Sequence, residues 1–478
     1  MSNSLKIFSF SLSKLFFYAL ILLLPFNINW VRFTETSFYF GYHVFYNSSW
    51  FYLTDIIICG VVLIWGWKVS MKHGGFKQVF NNIFTSPVFY FWLISAISII
   101  VSRETLLGFY GAVKISEFLL IFLYVKHSFG ETRKVLWLIV IGAMVQSVIG
   151  ILQFQNQHSI GLKSFGETFF APMMKGIAEF PTGETVLIRA YGTFPHPNLL
   201  GVWLFTALIS VIWLIYAQSR QDIDISRETK ASVSVKNVCI ETFLGVAVIL
   251  ISTGIVLTFS RTIWLVTALA IAALLIVSRL VKRKVFECMQ TGQRETGVAI
   301  YHPRRIALVL VLLLVSLGLN WIFYGQEIKD RIRVSEKHDL SEEEAVVNRQ
   351  LFNNIAWEAI KDHPGFGLGM RNLVVRMGEY SPERLLPHLH QPVHNLYLLI
   401  TAELGLVGFT AFVWLLFNIL KQASLAKLFL AMIFGGFLFL GLFDHYFWSL
   451  QQGGLLFWIM AGLLAHKNTL SGDAGQGV

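Results

Sequence analysis

Charge is what this sequence has least of. Only 14% of its 478 residues are Asp, Glu, Lys or Arg, against 55% hydrophobic, whereas a soluble domain carries about 25% charged and 45–50% apolar residues. Such a chain lacks the polar surface to cover a globule in water, which excludes most soluble classes, and the same figures exclude a disordered chain. Cysteine is scarce too: Cys59, Cys239 and Cys288 form neither a metal-like pair nor the spacing of a disulfide framework. Acidic residues are the scarcer sign, 28 against 38 Lys and Arg, for a net charge of +10. That excess would suit a nucleic acid, but in a membrane protein it reflects the bias that sets topology, so its placement decides.

Apolar and aromatic residues abound. Forty-two Phe, 14 Trp and a mean hydropathy of +0.62 point to an all-α polytopic membrane protein. A bilayer asks for roughly 20 apolar residues per helix, and twelve spans are predicted, near 12–30, 50–67, 87–102, 106–125, 135–154, 197–217, 240–258, 262–280, 305–324, 394–420, 424–443 and 446–465. The run from Phe243 to Ser278 would be about 54 Å of helix, too long for one crossing. A break near Phe259-Ser260-Arg261 divides it. Lys6 and Lys14 precede an apolar run to Leu24 without a small-x-small cleavage site, so this segment reads as a retained first span.

With the N-terminus inside, the inner segments hold the dense basic stretches: Lys68/Lys72/Lys77, Arg133/Lys134 and 279–305. The short outer connections hold only Arg32, Arg103 and Arg261. Both termini are therefore expected to be cytoplasmic, with two large loops outside. Topology accounts for the basic charge, and no nucleic-acid partner is expected.

The predicted layout is 1–324 with nine spans and an outer loop at 155–193, a cap loop at 325–393, three further spans in 394–466, and a Gly-rich cytoplasmic tail at 467–478. A polar inner linker is expected at 218–239. In the cap loop, Ser341 is a candidate N-cap ahead of Glu342, Glu343 and Glu344. Leu351, Ile355, Trp357 and Ile360 then suit an amphipathic helix, which His363-Pro-Gly-Phe-Gly-Leu-Gly369 breaks. The loop is large enough to form a small helical cap.

Polar groups that a bilayer would be expected to remove mark chemistry, and four sets fall at the predicted outer face. In Arg189-Ala-Tyr-Gly-Thr-Phe-Pro-His-Pro-Asn198, two prolines hold His196 extended and Asn198 is a plausible helix N-cap at an anion-binding terminus. An ordinary turn and cap is the plainer reading. Arg261 sits in a connection too short to be a solvated loop; its guanidinium suits phosphate oxygens, or it snorkels to lipid headgroups. Arg349 precedes His388-Leu-His390-Gln-Pro-Val-His394-Asn395, with Glu403 further on. A histidine at a helix mouth is a natural proton acceptor; the three histidines also resemble a metal cluster, though Pro392 interrupts them and no paired carboxylate is near. Asp444-His445 with Gln451 and Gln452 reads as a cap and polar seam, or as part of a site. Lys114 and Glu117, three apart, are expected to form an internal ion pair.

Arginines and a histidine gathered beneath a cap suggest group transfer from a lipid diphosphate. The ordered segments resemble the O-antigen ligase and polymerase (Wzy-C) superfamily. They are Gly192-Thr-Phe-Pro-His-Pro-Asn198, Thr258-Phe-Ser-Arg261, Asn348-Arg349 with Trp357 and Ala359, His363–Gly369, and His394-Asn395 followed by Glu403-Leu-Gly-Leu-Val-Gly408, within roughly 185–410. The resemblance implies a GT-C-like helical glycosyltransferase that takes a glycan from undecaprenyl diphosphate, with no cofactor and no catalytic metal. It assigns Arg261 and Arg189 to the diphosphate and His394 to the base. Arg349 and Glu403 would support that geometry, with Asn395, His196, Asn198 and His445 as further substrate-side candidates. Its implied partners are membrane lipids, the lipid-linked glycan and a glycan or lipid A-core acceptor; its implied place is the inner membrane, with the site facing the periplasm or cell exterior. A ligase onto lipid A-core is favoured over a polymerase of repeat units, and a protein-glycosylating type is less expected. A non-enzymatic transporter of lipid-linked glycan is the competing class; it would carry basic residues through the middle of the spans rather than at one face.

Overall fold

Apolar segments that meet lipid must satisfy every backbone N–H and C=O internally, and this chain does so almost wholly with helices. The computed structural model describes residues 3–71, 84–171, 174, 176–183, 185–225, 230–291, 303–333 and 340–467. In chain order the helices are α1 (Asn3–Leu23), α2 (Leu53–Ser70), α3 (Pro87–Ile97), α4 (Thr105–Ser128), α5 (Thr132–Asn156), α6 (Pro197–Ile225), α7 (Lys230–Leu257) and α8 (Arg261–Thr291). They continue with α9 (Pro303–Ile332), α10 (Leu340–Asp362), α11 (Leu373–Tyr380), α12 (Leu396–Leu420), α13 (Leu428–Leu440), α14 (Tyr446–Ser449) and α15 (Gln451–Ala465). Among the described residues eight helices are long and apolar enough to cross a bilayer, and four shorter apolar ones lie at Leu12–Leu23, Pro87–Val101, Leu425–Leu440 and Gln451–Ala465. These coincide one for one with the expected spans, and the chain is an all-α polytopic membrane protein.

Several expectations need correction. The first helix stops at Leu23, because 27–52 folds into small antiparallel hairpins: β1 (Asn29–Arg32) with β4 (Ser49–Tyr52), and β2 (Phe38–Tyr39) with β3 (Tyr42–His43). A third hairpin, β5 (Glu179–Thr182) with β6 (Thr185–Ile188), occupies the 155–193 loop. The 218–239 segment is not a plain linker: α6 runs on to Ile225 and α7 starts at Lys230, while 226–229 lie outside the described residues. At the expected start of the cap loop α9 kinks, with Tyr324 at non-helical φ −132° and ψ 21°, before helix continues to Ile332; α10 starts at Leu340, ahead of Ser341. The last span is broken between Ser449 and Gln451. Only Lys467 of the 467–478 tail lies among the described residues.

The chain divides into two units, one of Met1–Gly130 with Lys337–Val478 and one of Glu131–Glu336. In the second unit, α7 and α8 meet at the expected break. Phe259 there has φ 44°, a left-handed turn between helices ending at Leu257 and starting at Arg261. A polar seam of Ser252 with Ser316 (2.8 Å) and Asn320 with Thr253 (3.1 Å) joins α7 to α9. Leu314, Leu317, Ile322 and Phe323 of α9 stay exposed, as a lipid-facing side should.

In the first unit the expected Lys114–Glu117 pair (3.1 Å) is present, but Lys114 is held more closely by Asp55 of α2 at 2.5 Å. Gln451 of α15 donates to the other Asp55 oxygen at 2.6 Å, so three helices share one buried polar knot. The same unit shows what the glycine motifs do. Helix α12 breaks at Gly405 (φ 67°, ψ −176°), a conformation essentially reserved for glycine. Into the break fits the 363–369 loop. Leu368 and Gly369 N–H groups donate to the carbonyls of Ala402 and Glu403, both at 2.9 Å, and Leu406 N–H donates to the Pro364 carbonyl at 2.8 Å. A side chain at Gly405 would start 2.1 Å from the Gly365 carbonyl oxygen, and one at Gly367 2.5 Å from the Glu403 backbone. The two motifs are one backbone junction.

Candidate active site

In the first unit the site begins with a helix cap. Asn395 is extended (φ −154°, ψ 115°) and its Oδ1 accepts the Tyr397 and Leu398 N–H groups, both at 3.0 Å. That is ordinary asparagine capping, worth about 1 kcal/mol. The same side chain donates through Nδ2 to the Leu442 carbonyl (3.2 Å), while Leu396 N–H donates to the Gly441 carbonyl (2.7 Å) and the Tyr397 hydroxyl to that of Leu438 (2.6 Å). The mouth of α12 is thereby stitched to the end of α13, and the residues next in line, His394 and Asp444, come together.

His394 Nδ1 stands 3.4 Å from Asp444 Oδ1. This nitrogen is closed to solvent and makes no hydrogen bond, although the ring as a whole is 24% exposed. The open part of the ring is therefore its Nε2 side. Asp444 is buried, and its Oδ1 accepts the His445 backbone N–H at 2.9 Å. His445, also buried, sits with its ring 5.1 Å from that of His394 and its Nε2 3.9 Å from Asp444 Oδ1. Its Nδ1 bonds Ser449 Oγ at 2.5 Å, and that hydroxyl donates to the His445 carbonyl. Two aromatic rings wall the cluster: Tyr46 edge-on to His445 at 5.5 Å and Phe352 by His394 at 6.1 Å. Burial pushes the Tyr46 hydroxyl pKa up, the Asp444 carboxylate adds to the rise, and the Arg371 guanidinium opposes it.

The other first-unit candidates fall at different distances from this cluster. Arg349 is exposed on α10, one turn before the Phe352 that faces His394. Glu403 is not brought to His394: it lies seven residues beyond the start of α12 at Leu396, roughly 10 Å along the helix. It is buried there, where its Oε2 accepts the Trp448 indole N–H at 2.7 Å. His388 is exposed, and His390 packs at a tilt against the Tyr39 ring at 4.3 Å with Nδ1 on the Leu386 carbonyl at 3.2 Å. Desolvation lowers the His390 pKa, against the opposing pull of its backbone hydrogen bonds. The three histidines 388, 390 and 394 thus form no cluster. The metal-capable group among the described residues is His394, Asp444 and His445, each with one ligand atom within 4.8 Å of the others.

In the second unit the arginines gather on the α7–α8 turn. Arg189, buried, donates Nε to the Thr258 carbonyl and Nη2 to Asn198 Oδ1, both at 2.6 Å. Asn198 is therefore not the helix cap: α6 begins at Pro197, a common first helical residue, and His196 caps it, its Nδ1 accepting the Asn198 N–H at 3.1 Å. Arg261 is exposed and donates Nε to the Arg331 carbonyl at 3.0 Å. Arg331 in turn donates Nε to the Phe259 carbonyl at 3.0 Å and lies over the Phe180 ring. Two guanidinium groups, those of Arg189 and Arg331, sit on the successive Thr258 and Phe259 carbonyls of this turn, and a third, that of Arg261, on the Arg331 carbonyl; together they form a local positive charge that favours an anion. Sequence reasoning missed Arg331 and the pairing of Asp444 with His394. Arg331 was hidden among the charges of a long loop; Asp444 was visible beside His445 but had no sign of its partner 50 residues earlier.

The fold and these two clusters define a polytopic helical membrane protein with a histidine–carboxylate pair and an arginine cluster. Residues 246–413 match the Wzy_C family model, described as O-Antigen ligase. That segment is thus similar to the O-antigen ligase family, and the similarity supports, at family level, a membrane glycosyltransferase of ligase or polymerase type. No curated protein matches the chain.

Proposed function

We propose that this protein transfers a glycan from a polyprenyl diphosphate carrier to an acceptor hydroxyl at the non-cytoplasmic face of the inner membrane, acting as an O-antigen ligase onto lipid A-core. The observation that carries the reading is the His394–Asp444 pair, with Nδ1 turned inward to the carboxylate and the Nε2 side open. Asp444 orients the ring and supports the imidazolium, so Nε2 is the atom that takes a proton. The acceptor hydroxyl gives that proton to His394 Nε2 as its oxygen bonds the anomeric carbon. The bond from that carbon to the diphosphate oxygen breaks, and the diphosphate leaves with the electron pair. Attack from the face opposite the leaving group inverts the anomeric centre.

Arg261 and Arg189, joined by Arg331, hold the diphosphate and stabilise the negative charge it gains. Arg349 lies one turn from Phe352 at the His394 ring and serves the acceptor. Asn395 and His196 act as caps that set helix mouths, Asn198 steadies Arg189, and Glu403 fixes α14 through Trp448. The reaction asks for a base and a stabilised leaving group, and these side chains supply both without a metal.

The test is reconstitution in lipid with a polyprenyl-diphosphate-linked repeat unit, with and without a lipid A-core acceptor. A glycan–core product that requires the acceptor supports the ligase; a ladder from donor alone would make the protein a polymerase. His394→Ala is expected to lose about 10²- to 10⁴-fold in turnover with donor binding kept. Normal turnover in that variant removes His394 from the mechanism, and donor movement across the bilayer without any product would favour the transporter.

A further inference from the structure

We infer that His394, Asp444 and His445 form a site for a zinc-like divalent ion, and that the ion switches off transfer by occupying His394 Nδ1. The site stands on geometry alone; only its effect on transfer rests on His394 being the base.

The ligand atoms are already close. His394 Nδ1 is 3.4 Å and His445 Nε2 3.9 Å from Asp444 Oδ1, while zinc bonds of about 2.0–2.1 Å in a tetrahedron hold their ligand atoms roughly 3.3 Å apart. All three ligand atoms lie within 4.8 Å of one another, so His445 closes on the other two to complete the tetrahedral edges. Each ligand is also prepared by its neighbours. Ser449 Oγ donates to the His445 carbonyl and so accepts from His445 Nδ1–H, which leaves the lone pair on Nε2, the atom facing Asp444. Hydrogen bonding of the distant ring nitrogen is how metal-bound histidines are commonly oriented. The Asp444 carboxylate is fixed by the His445 backbone N–H. His394 Nδ1 is buried without a hydrogen bond, a costly state for a polar atom that a metal bond would relieve.

Two imidazoles and one carboxylate suit zinc, with a fourth position left for water or an anion. They are too few oxygens for calcium or magnesium. The effect on chemistry follows from the tautomer. A metal on Nδ1 leaves the ring's one proton on Nε2, so the nitrogen turned to the acceptor becomes a donor and can no longer accept a proton.

The full-length protein in lipid nanodiscs, stripped with a chelator, is titrated with zinc chloride against a zinc-sensitive dye. One ion per chain is expected, with affinity at least about tenfold weaker in Asp444→Asn and His445→Gln. Cobalt(II) added to the wild-type protein should give the visible bands of a tetrahedral N/O site, a readout that needs no variant to fold. Absence of a stoichiometric ion, an octahedral cobalt spectrum, or binding unchanged in both variants overturns the site. In the transfer assay zinc should inhibit and chelator should restore activity; zinc stimulation or indifference overturns the switch. If no transfer is found with any substrate, the failure lies with the proposed function, and the binding titration still decides the metal site.

Discussion

At 3.4 Å from His394 Nδ1, the Asp444 carboxylate is close enough to orient the ring. Replacing Asp444 with Asn keeps the shape and removes the charge that stabilises the imidazolium. Turnover is expected to fall about 10- to 100-fold with little change in the donor KM, measured by steady-state kinetics on reconstituted protein. An equal loss through KM alone would make Asp444 a binding group instead. Half of this pair was legible in the sequence. His394 announces itself, because a histidine followed by a capping asparagine stands at a helix mouth. Its partner does not, since nothing local links residue 394 to residue 444; only the Asn395–Leu442 and Leu396–Gly441 hydrogen bonds do. Arg331 was illegible for the same reason, being 70 residues from the arginine it meets.

Among elements, the α12 break was legible only as two glycine-rich stretches, since a sequence gives no sign that one loop completes another helix. Gly405→Ala is expected to destabilise the protein by about 3 kcal/mol or more, from left-handed strain plus backbone collision; thermal unfolding of detergent-solubilised protein measures it. The small hairpins were illegible as well: their strands are two to four residues long, too short to show alternation. Helix α11 carries a pH dependence. Burial works to raise the Glu379 pKa, but hydrogen bonds and charge from Arg376 and Arg103 more than offset it, and the net shift is downward. A lowered carboxyl pKa stabilises the folded form above the ordinary glutamate range and loses that contribution as pH falls through the folded value. Hydrogen exchange in α11 should therefore show less protection against local opening under acid conditions. The change should be modest, since Glu379 is partly exposed and screened by water, and absent in Glu379→Gln.

For the molecule as a whole, the spans were the most legible feature, because a bilayer imposes one length and one polarity on every crossing. The Phe259 turn was foreseen from length alone, as no single crossing could take 36 residues of helix. Twelve apolar helices say little about depth, however, and here the α12 break adds a ruler. From the helix mouth at Leu396 to Gly405 is about 13 Å of helix, so the 363–369 loop that fills the break descends to that level as a re-entrant wedge. Irregular backbone is tolerated at such depth only when its polar groups are matched, as the Leu368, Gly369 and Leu406 bonds match them. Phe366, half exposed in that loop, is then expected to border acyl chains instead of water. A nitroxide attached at a Phe366→Cys substitution should be relaxed by oxygen dissolved in the lipid and spared by a water-soluble nickel chelate. The opposite pattern would set the loop at the surface. On the proposed function, a wedge at that level would give the site a floor, so that a carrier lipid presents its diphosphate at headgroup height without lifting its chain out of the membrane.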